Sequence, residues 1–187
     1  REGDIVEHGQ QLAALDPVQA RSSVEETLAR IAALRARAAR LQAEIDDQDE
    51  VPFPSDLSGL TELLARERQL FVENRRAFSE NITNLKEQLS LAQEELGILQ
   101  PLLESGAANR IEVLHLRQKV AELVTRISAT EGEYFVALRA DFATTMAELE
   151  PLLKVREGLA DQLRRTVLSS PTKGIVKDIQ ISTVGGV

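Results

Sequence analysis

The chain has no cysteine and no tryptophan, a single methionine and only 3% aromatic residues. Without cysteine there is neither a disulfide framework nor a thiolate metal site, which is compatible with an oxidising compartment. So few rings exclude a large rounded core, and the abundance of Leu, Ala, Glu, Arg and Gln fits long thin helices that bury one seam. No run approaches the roughly 18 consecutive apolar residues of a membrane span, and no signal peptide opens the chain. A clustered excess of positive charge is also missing. The net charge is −8 with the signs interspersed, which argues against nucleic acid as a partner.

What is present is helical periodicity between two glycine-punctuated ends. Gly3 and Gly9 offer turns around the short apolar runs Ile5-Val6 and Leu12-Ala13-Ala14-Leu15, which suit strands. Asp16-Pro17 is a helix start, with Asp at the N-cap and Pro at the first helical position. A first helix is expected over about 17–47, with Val24, Leu28, Ile31, Leu34, Ala38, Leu41 and Ile45 along one face. The acidic run Asp46–Glu50 opposes the dipole at its C-terminus, and Val51-Pro52-Phe53-Pro54 cannot continue it. A second helix is expected over about 57–104. Leu57, Leu64, Phe71, Phe78, Leu85, Ala92 and Leu99 recur along it at seven-residue intervals, joined by Ile82, Leu89, Leu96 and Leu103. This is a heptad seam.

Ser105-Gly106-Ala107-Ala108-Asn109 reads as the turn at a hairpin tip, 105–109. Gly106 suits the left-handed residue that ends a helix, and Asn109 with Glu112 three positions on resembles a capping box. A third helix is expected over about 110–168, antiparallel to the second because the loop is short. At 1.5 Å per residue the three helices measure ~45, ~72 and ~88 Å. Stacked end to end, the first two overshoot the third by about 29 Å. Folding the Gln48–Asp56 connection back, with its reach of up to ~30 Å, removes the mismatch. The arithmetic therefore predicts three helices near the base and two toward the tip. Neither glycine-rich end can form a sheet alone, so the ends are expected to pair.

Those ends carry a resemblance. Glu2-Gly3-Asp4-Ile5-Val6 with Gly9-Gln10-x-Leu12-x-x-Leu15-Asp16 resembles the first half of a lipoyl- or biotinyl-type β module, and Ser170-Pro171-Thr172-Lys173-Gly174-Ile175-Val176 resembles the second. A lipoyl module split by an α-helical hairpin resembles the HlyD family of periplasmic adaptors, or membrane fusion proteins. Thr183-Val184-Gly185-Gly186-Val187 is similar to the ending found in its type I secretion branch. The expected organisation is mainly α: 1–16 a first lipoyl-like half, 17–169 the hairpin domain, 170–187 the second half. Gly3, Gly9, Asp16, Gly174, Gly185 and Gly186 are expected to shape the turns of the β module.

The resemblance implies an adaptor that links an inner-membrane ABC transporter to a TolC-like outer-membrane channel, with several copies in a ring or funnel around an exported, unfolded protein. It implies a periplasmic location in a Gram-negative bacterium, a membrane anchor before Arg1 and a β-barrel domain beyond Val187. The sequence itself begins in mid-motif and stops in mid-strand, so it is expected to be an excised fragment. The turn that carries the modified Lys in lipoylated carriers is replaced by the helices, so no cofactor is expected. In multidrug adaptors the tip resembles an Arg, a Leu four residues on and a Ser seven after that. Ile98, Leu102 and Asn109 stand there here, and only the Leu matches.

No constellation for catalysis is visible: His8 and His115 lie far apart, and the Gly-x-Val segments are not a phosphate loop. The run Asp46–Glu50 lacks the spaced ligands of a calcium loop and reads as a solvated linker. Asn81-Ile82-Thr83 matches a glycosylation sequon, but Ile82 belongs to the seam. At the tip, Leu102, Leu103, Ile111 and Leu114 are more apolar than a solvated end needs. With Ser105, Gly106, Asn109 and Glu112 they form the expected partner-binding surface, while Arg66-Glu67-Arg68 and Arg75-Arg76 are expected to face neighbouring copies. Two alternatives remain open: a drug-efflux adaptor of the same fold, and a plain coiled-coil scaffold with the ends as tails.

Overall fold

The computed structural model describes residues 3–177. The order is β1 (Ile5–Val6), β2 (Gln11–Ala14), α1 (Val18–Ile45), a 3₁₀ turn (Ser55–Leu57), α2 (Thr61–Glu104), α3 (Arg110–Arg165), β3 (Val167–Ser169) and β4 (Gly174–Ile175). By packing the chain divides into two units. One is Arg1–Ile31 with Glu150–Val187, and the other is Ala32–Leu149.

In the first unit the ends pair. β1 runs antiparallel to β4 with Ile5 opposite Ile175 and Val6 opposite Gly174. β2 runs antiparallel to β3 with Gln11 opposite Ser169 and Ala14 opposite Val167, across an irregularity between Gln11 and Ala13. Between and beyond these ladders, Gly3 N–H donates to Val176 O at 2.7 Å, Gly9 N–H to Ser170 O at 2.8 Å and Leu15 N–H to Thr166 O at 2.7 Å. Lys173 Nζ meets Glu7 Oε1 at 2.6 Å. Gly3 and Gly9 both have positive φ, 89° and 80°, which a side chain would oppose. Gly174, expected at a turn, instead lies inside β4 and has no positive φ. The expected turn residues Gly185 and Gly186 lie outside the described residues. α3 stops at Arg165, short of the expected 168, because Val167–Ser169 takes its hydrogen bonds from β2 rather than from the preceding turn.

Asp16 caps α1 as its residue type predicts: Oδ1 accepts the Val18 N–H at 2.9 Å, and Pro17 O accepts from Arg21 N–H. The other end of α1 lies in the second unit. There Gln48 N–H bonds to Ala43 O and Asp47 N–H to Glu44 O, with Asp47 left-handed at φ 50°. This is a Schellman ending built on Asp in place of Gly. Arg75 of α2 holds it by bonding to Asp47 Oδ1 at 2.7 Å and to Gln48 O at 2.5 Å, so a cation sits at the helix C-terminus despite the acidic run.

The connection then folds back along α1. Leu57, on its 3₁₀ turn, and Leu64 pack on Ala32 and Ala36, with Phe53 and Leu63 alongside. α2 thus begins at Thr61, later than expected, yet Leu57 keeps its place in the buried row. Here three helices run together, as the length arithmetic requires. Past α1 only two remain among the described residues. Ile82, Leu85 and Ala92 interlock with Leu116, Leu123 and Ile127, and Phe78 stacks on Tyr134 with ring centroids 4.0 Å apart. Pro101 lies in the last turn of α2 and Pro151 well inside α3, each without an N–H for the ladder.

Candidate partner-binding site

The turn at 105–109 is built by backbone demands. Gly106 is left-handed at φ 77°. Its N–H donates to Leu103 O at 3.0 Å and Ala107 N–H donates to Leu102 O at 2.7 Å, the paired bonds of a Schellman motif. The Leu102 carbonyl also accepts from Ala108 N–H at 3.1 Å and from Ser105 Oγ at 2.9 Å. Asn109 caps α3, its Oδ1 accepting from Ile111 N–H at 2.9 Å. Glu112 makes no reciprocal bond to Asn109 among the described residues, so only half of the capping box forms.

Ser105, Gly106 and Asn109 are therefore occupied in shaping the turn. The apolar side chains around it are not covered: Leu102 is 41% exposed, Ile111 61% and Leu114 52%, while Leu103 is half-buried in the seam. Glu112 lies beside them, exposed. Fully covering each large apolar side chain is worth about 1.5–3 kcal/mol, so three partly covered ones leave a modest apolar surface open at the turn. An open groove of 440 Å³ runs down from the turn between Glu95 and Leu99 on α2 and Asn109, Ile111, Glu112, His115, Leu116 and Lys119 on α3. His115 is thus a groove residue, and His8 is exposed in the other unit. Among the described residues no group of three or more His, Asp or Glu converges to hold a metal ion. No helix there is long and apolar enough to cross a membrane.

A second polar cluster, not foreseen, lies where α1 meets α2 and α3. The Arg40 guanidinium donates to Glu67 Oε2 at 2.7 Å and to Glu44 Oε1 at 2.5 Å, with all three residues buried. Tyr134 OH donates to Glu44 Oε2 at 3.1 Å, and Asn74 Nδ2 lies 3.5 Å from both Glu44 oxygens. Burial lowers the Arg40 pKa, but the bonds from Glu67 and Glu44 outweigh it and the net shift is upward. Burial, then the Glu44 charge, pushes the Tyr134 hydroxyl up to about 12. Arg35 pairs with Asp56 nearby and holds its carboxyl below the usual range.

This arrangement takes Glu67 and Arg75 out of the stretches expected to be available to neighbouring copies, Arg66-Glu67-Arg68 and Arg75-Arg76, while Arg66, Arg68 and Arg76 stay exposed. Glu67 is buried on Arg40, and Arg75 is bound to the end of α1. Arg68 lies over the Phe53 ring at 5.2 Å, and Arg76 pairs with Glu80. The signal in the sequence was the alanine content of α1. Ala32, Ala36, Ala38 and Ala43 are all buried, which means close helix approach on more than one face and leaves Arg40 and Glu44 inside.

Residues 20–86 match the family model described as AprE, long alpha-helical hairpin. The alkaline protease secretion protein AprE of Pseudomonas aeruginosa is 32% identical, over all of this chain and 54% of AprE, so the chain spans about half the length of that relative. The soluble domain of LipC, a membrane fusion protein of a type I secretion system, superposes with a TM-score of 0.61 at 22% identity, covering 94% of this chain and 84% of that one. The periplasmic adaptor protein EmrA aligns with a TM-score of 0.47 at 19% identity over 97% of this chain and 61% of its own. Paired terminal strands around a long helical hairpin are what the sequence resemblance implied, and the AprE hairpin model and the similarity to AprE along the whole of this sequence support an HlyD-family adaptor.

Proposed function

We propose that this chain is the hairpin-bearing part of a periplasmic adaptor that couples an inner-membrane ABC exporter to a TolC-like outer-membrane channel for type I secretion of an unfolded protein. The hairpin acts as a strut, and its tip, with Leu102, Leu103, Ile111 and Glu112 beside the turn residues Ser105, Gly106 and Asn109, bears on the helical end of the channel. The observation that carries this reading is the set of exposed apolar side chains around a turn whose backbone bonds are already satisfied, which gives the tip a fixed shape with surface to cover. The kinship with a protein named for alkaline protease secretion favours protein as cargo. The role is connective, with no catalysis and no bound cofactor.

Deleting the gene separates cargo classes. The expected result is loss of one or more proteins from the culture medium with drug sensitivity unchanged. Normal secretion with heightened drug sensitivity would reassign the chain to efflux.

A further inference from the structure

His115 stands in the wall of the open groove that runs down from the turn, and neither the strut nor the tip contact proposed above uses it. The chain has two histidines, and the other, His8, lies in the first unit. By residue type, His115 is therefore the one side chain of the second unit that changes charge between about pH 5 and 8.

The groove gathers charged groups around it from both helices. On α3, Glu112 and Lys119 lie one helical turn to either side of His115, on the same face. On α2, Glu95 lines the facing wall beside Leu99. Glu95, Glu112, His115 and Lys119 are all exposed, and none of them forms an ion pair or a side-chain hydrogen bond among the described residues. Leaving His115 aside, the groove holds two carboxylates against one ammonium. A proton on the ring thus has carboxylates within the groove to pair with, on its own helix and on the facing one.

We propose that His115 makes the tip contact sensitive to pH. The neutral ring leaves the groove open for a helix end of the channel to settle over Leu99 and Ile111, whereas the protonated ring turns to Glu95 and Glu112 and closes it. The inference rests on the tip reading given under the proposed function, and it adds the groove below the turn to that contact. Two effects act in the same direction. The open groove, with its surplus carboxylate, accommodates the protonated ring, and a protein laid over the groove takes the ring out of water, which penalises the charged form of a histidine. Docking therefore releases a proton. By linkage the complex is favoured at higher pH and weakens as pH falls. A group that must shed one proton on docking changes the binding constant by at most about tenfold per pH unit, so a fall from about pH 7.5 to about pH 5.5 is expected to weaken binding on the order of tenfold.

The test is the binding of the full-length protein to the purified outer-membrane channel of the same organism, measured at those two pH values. Each variant is judged by its own ratio of dissociation constants, which separates His115 from groups that titrate on the channel. The wild-type ratio is expected to be on the order of ten. His115→Gln, polar and not titrating, should lose most of that dependence, and His115→Arg, charged throughout, should bind weakly at both values. His8→Gln, altered in the other unit, should keep the wild-type ratio. Circular dichroism checks that each variant stays helical. Equal wild-type binding at both values, tighter binding in acid, or a ratio that survives His115→Gln would overturn the proposal and leave the tip reading standing. A channel that binds the wild-type protein at neither pH would overturn the tip reading, and this inference with it.

Discussion

Tyr134 on α3 donates its hydroxyl to Glu44 on α1 across 3.1 Å, although ninety positions separate them in sequence. The bond ties the returning helix to the first one within a cluster that also holds Arg40, Glu67 and Asn74. No buried side-chain polar atom lacks a partner among the described residues.

Because Tyr134 is the one tyrosine, its ionisation can be followed by absorbance without overlap. Burial and the adjacent Glu44 carboxylate raise its folded pKa to about 12, against an unfolded value near 10. A raised folded pKa means stability that is complete below the unfolded value and is lost as pH climbs toward the folded one. The titration should therefore be displaced upward, with stability falling between about pH 10 and 12. A Glu44→Gln variant should titrate lower, because burial remains and the charge does not. Ionisation of native Tyr134 near 10 would show that the hydroxyl is not held by Glu44.

Arg40 neutralises two buried carboxylates, so Arg40→Met should lower unfolding free energy by about 3–5 kcal/mol, as breaking buried ion pairs does elsewhere. Replacing all three charges by Met or Leu should recover most of that loss, since apolar substitutes avoid desolvating ions. The cluster's role is then register. Against an alanine surface α1 can slide, and a spin label on α1 should show one environment in the native chain and several in the triple variant. Denaturant unfolding and electron paramagnetic resonance check the two halves of this prediction.

Gly106 has open space where a Cβ would go, so Gly106→Ala tests backbone conformation alone. A left-handed alanine costs about 1–2 kcal/mol. Hydrogen exchange should quicken at the Ala107 and Ala108 amides, which bond to Leu102 O, and stay unchanged at the α1 cluster.

Leu123 and Ile82 are buried where, among the described residues, only two helices remain, with no third element there to collapse onto a void. Leu123→Ala should cost about 2–5 kcal/mol, measured by thermal or denaturant unfolding.

Much of this architecture was legible because a helix repeats. The row Leu57, Leu64, Phe71, Phe78, Leu85, Ala92 and Leu99 recurs every seven residues, and each member is buried or half-buried. Gly106, Asn109 and Asp16 carry local backbone constraints that a sequence displays directly, and each does the expected work at a helix end. The third helix alongside the connection followed from lengths alone. What could not be read depends on partners distant in sequence. Glu67 looks like any surface carboxylate until Arg40 is placed against it, and Arg75 until Gln48 arrives. Thr166-Val167-Leu168 continues a helical pattern, and only the β2 strand, some 150 residues earlier, draws it into a ladder. Among the tip residues, the sequence did not distinguish Ser105, Gly106 and Asn109, which build the turn, from Leu102 and Ile111, which the turn leaves exposed.

The central claim is that the hairpin tip is a contact surface, and the most direct measurement is protein export by a Leu102→Asp variant beside a Leu89→Asp control. Leu102 lies exposed at the turn whereas Leu89 packs in the seam. The account predicts that Leu102→Asp keeps native helicity and melting temperature yet abolishes export, while Leu89→Asp lowers the melting temperature by placing a charge in the seam. Normal export by a folded Leu102→Asp variant would contradict it.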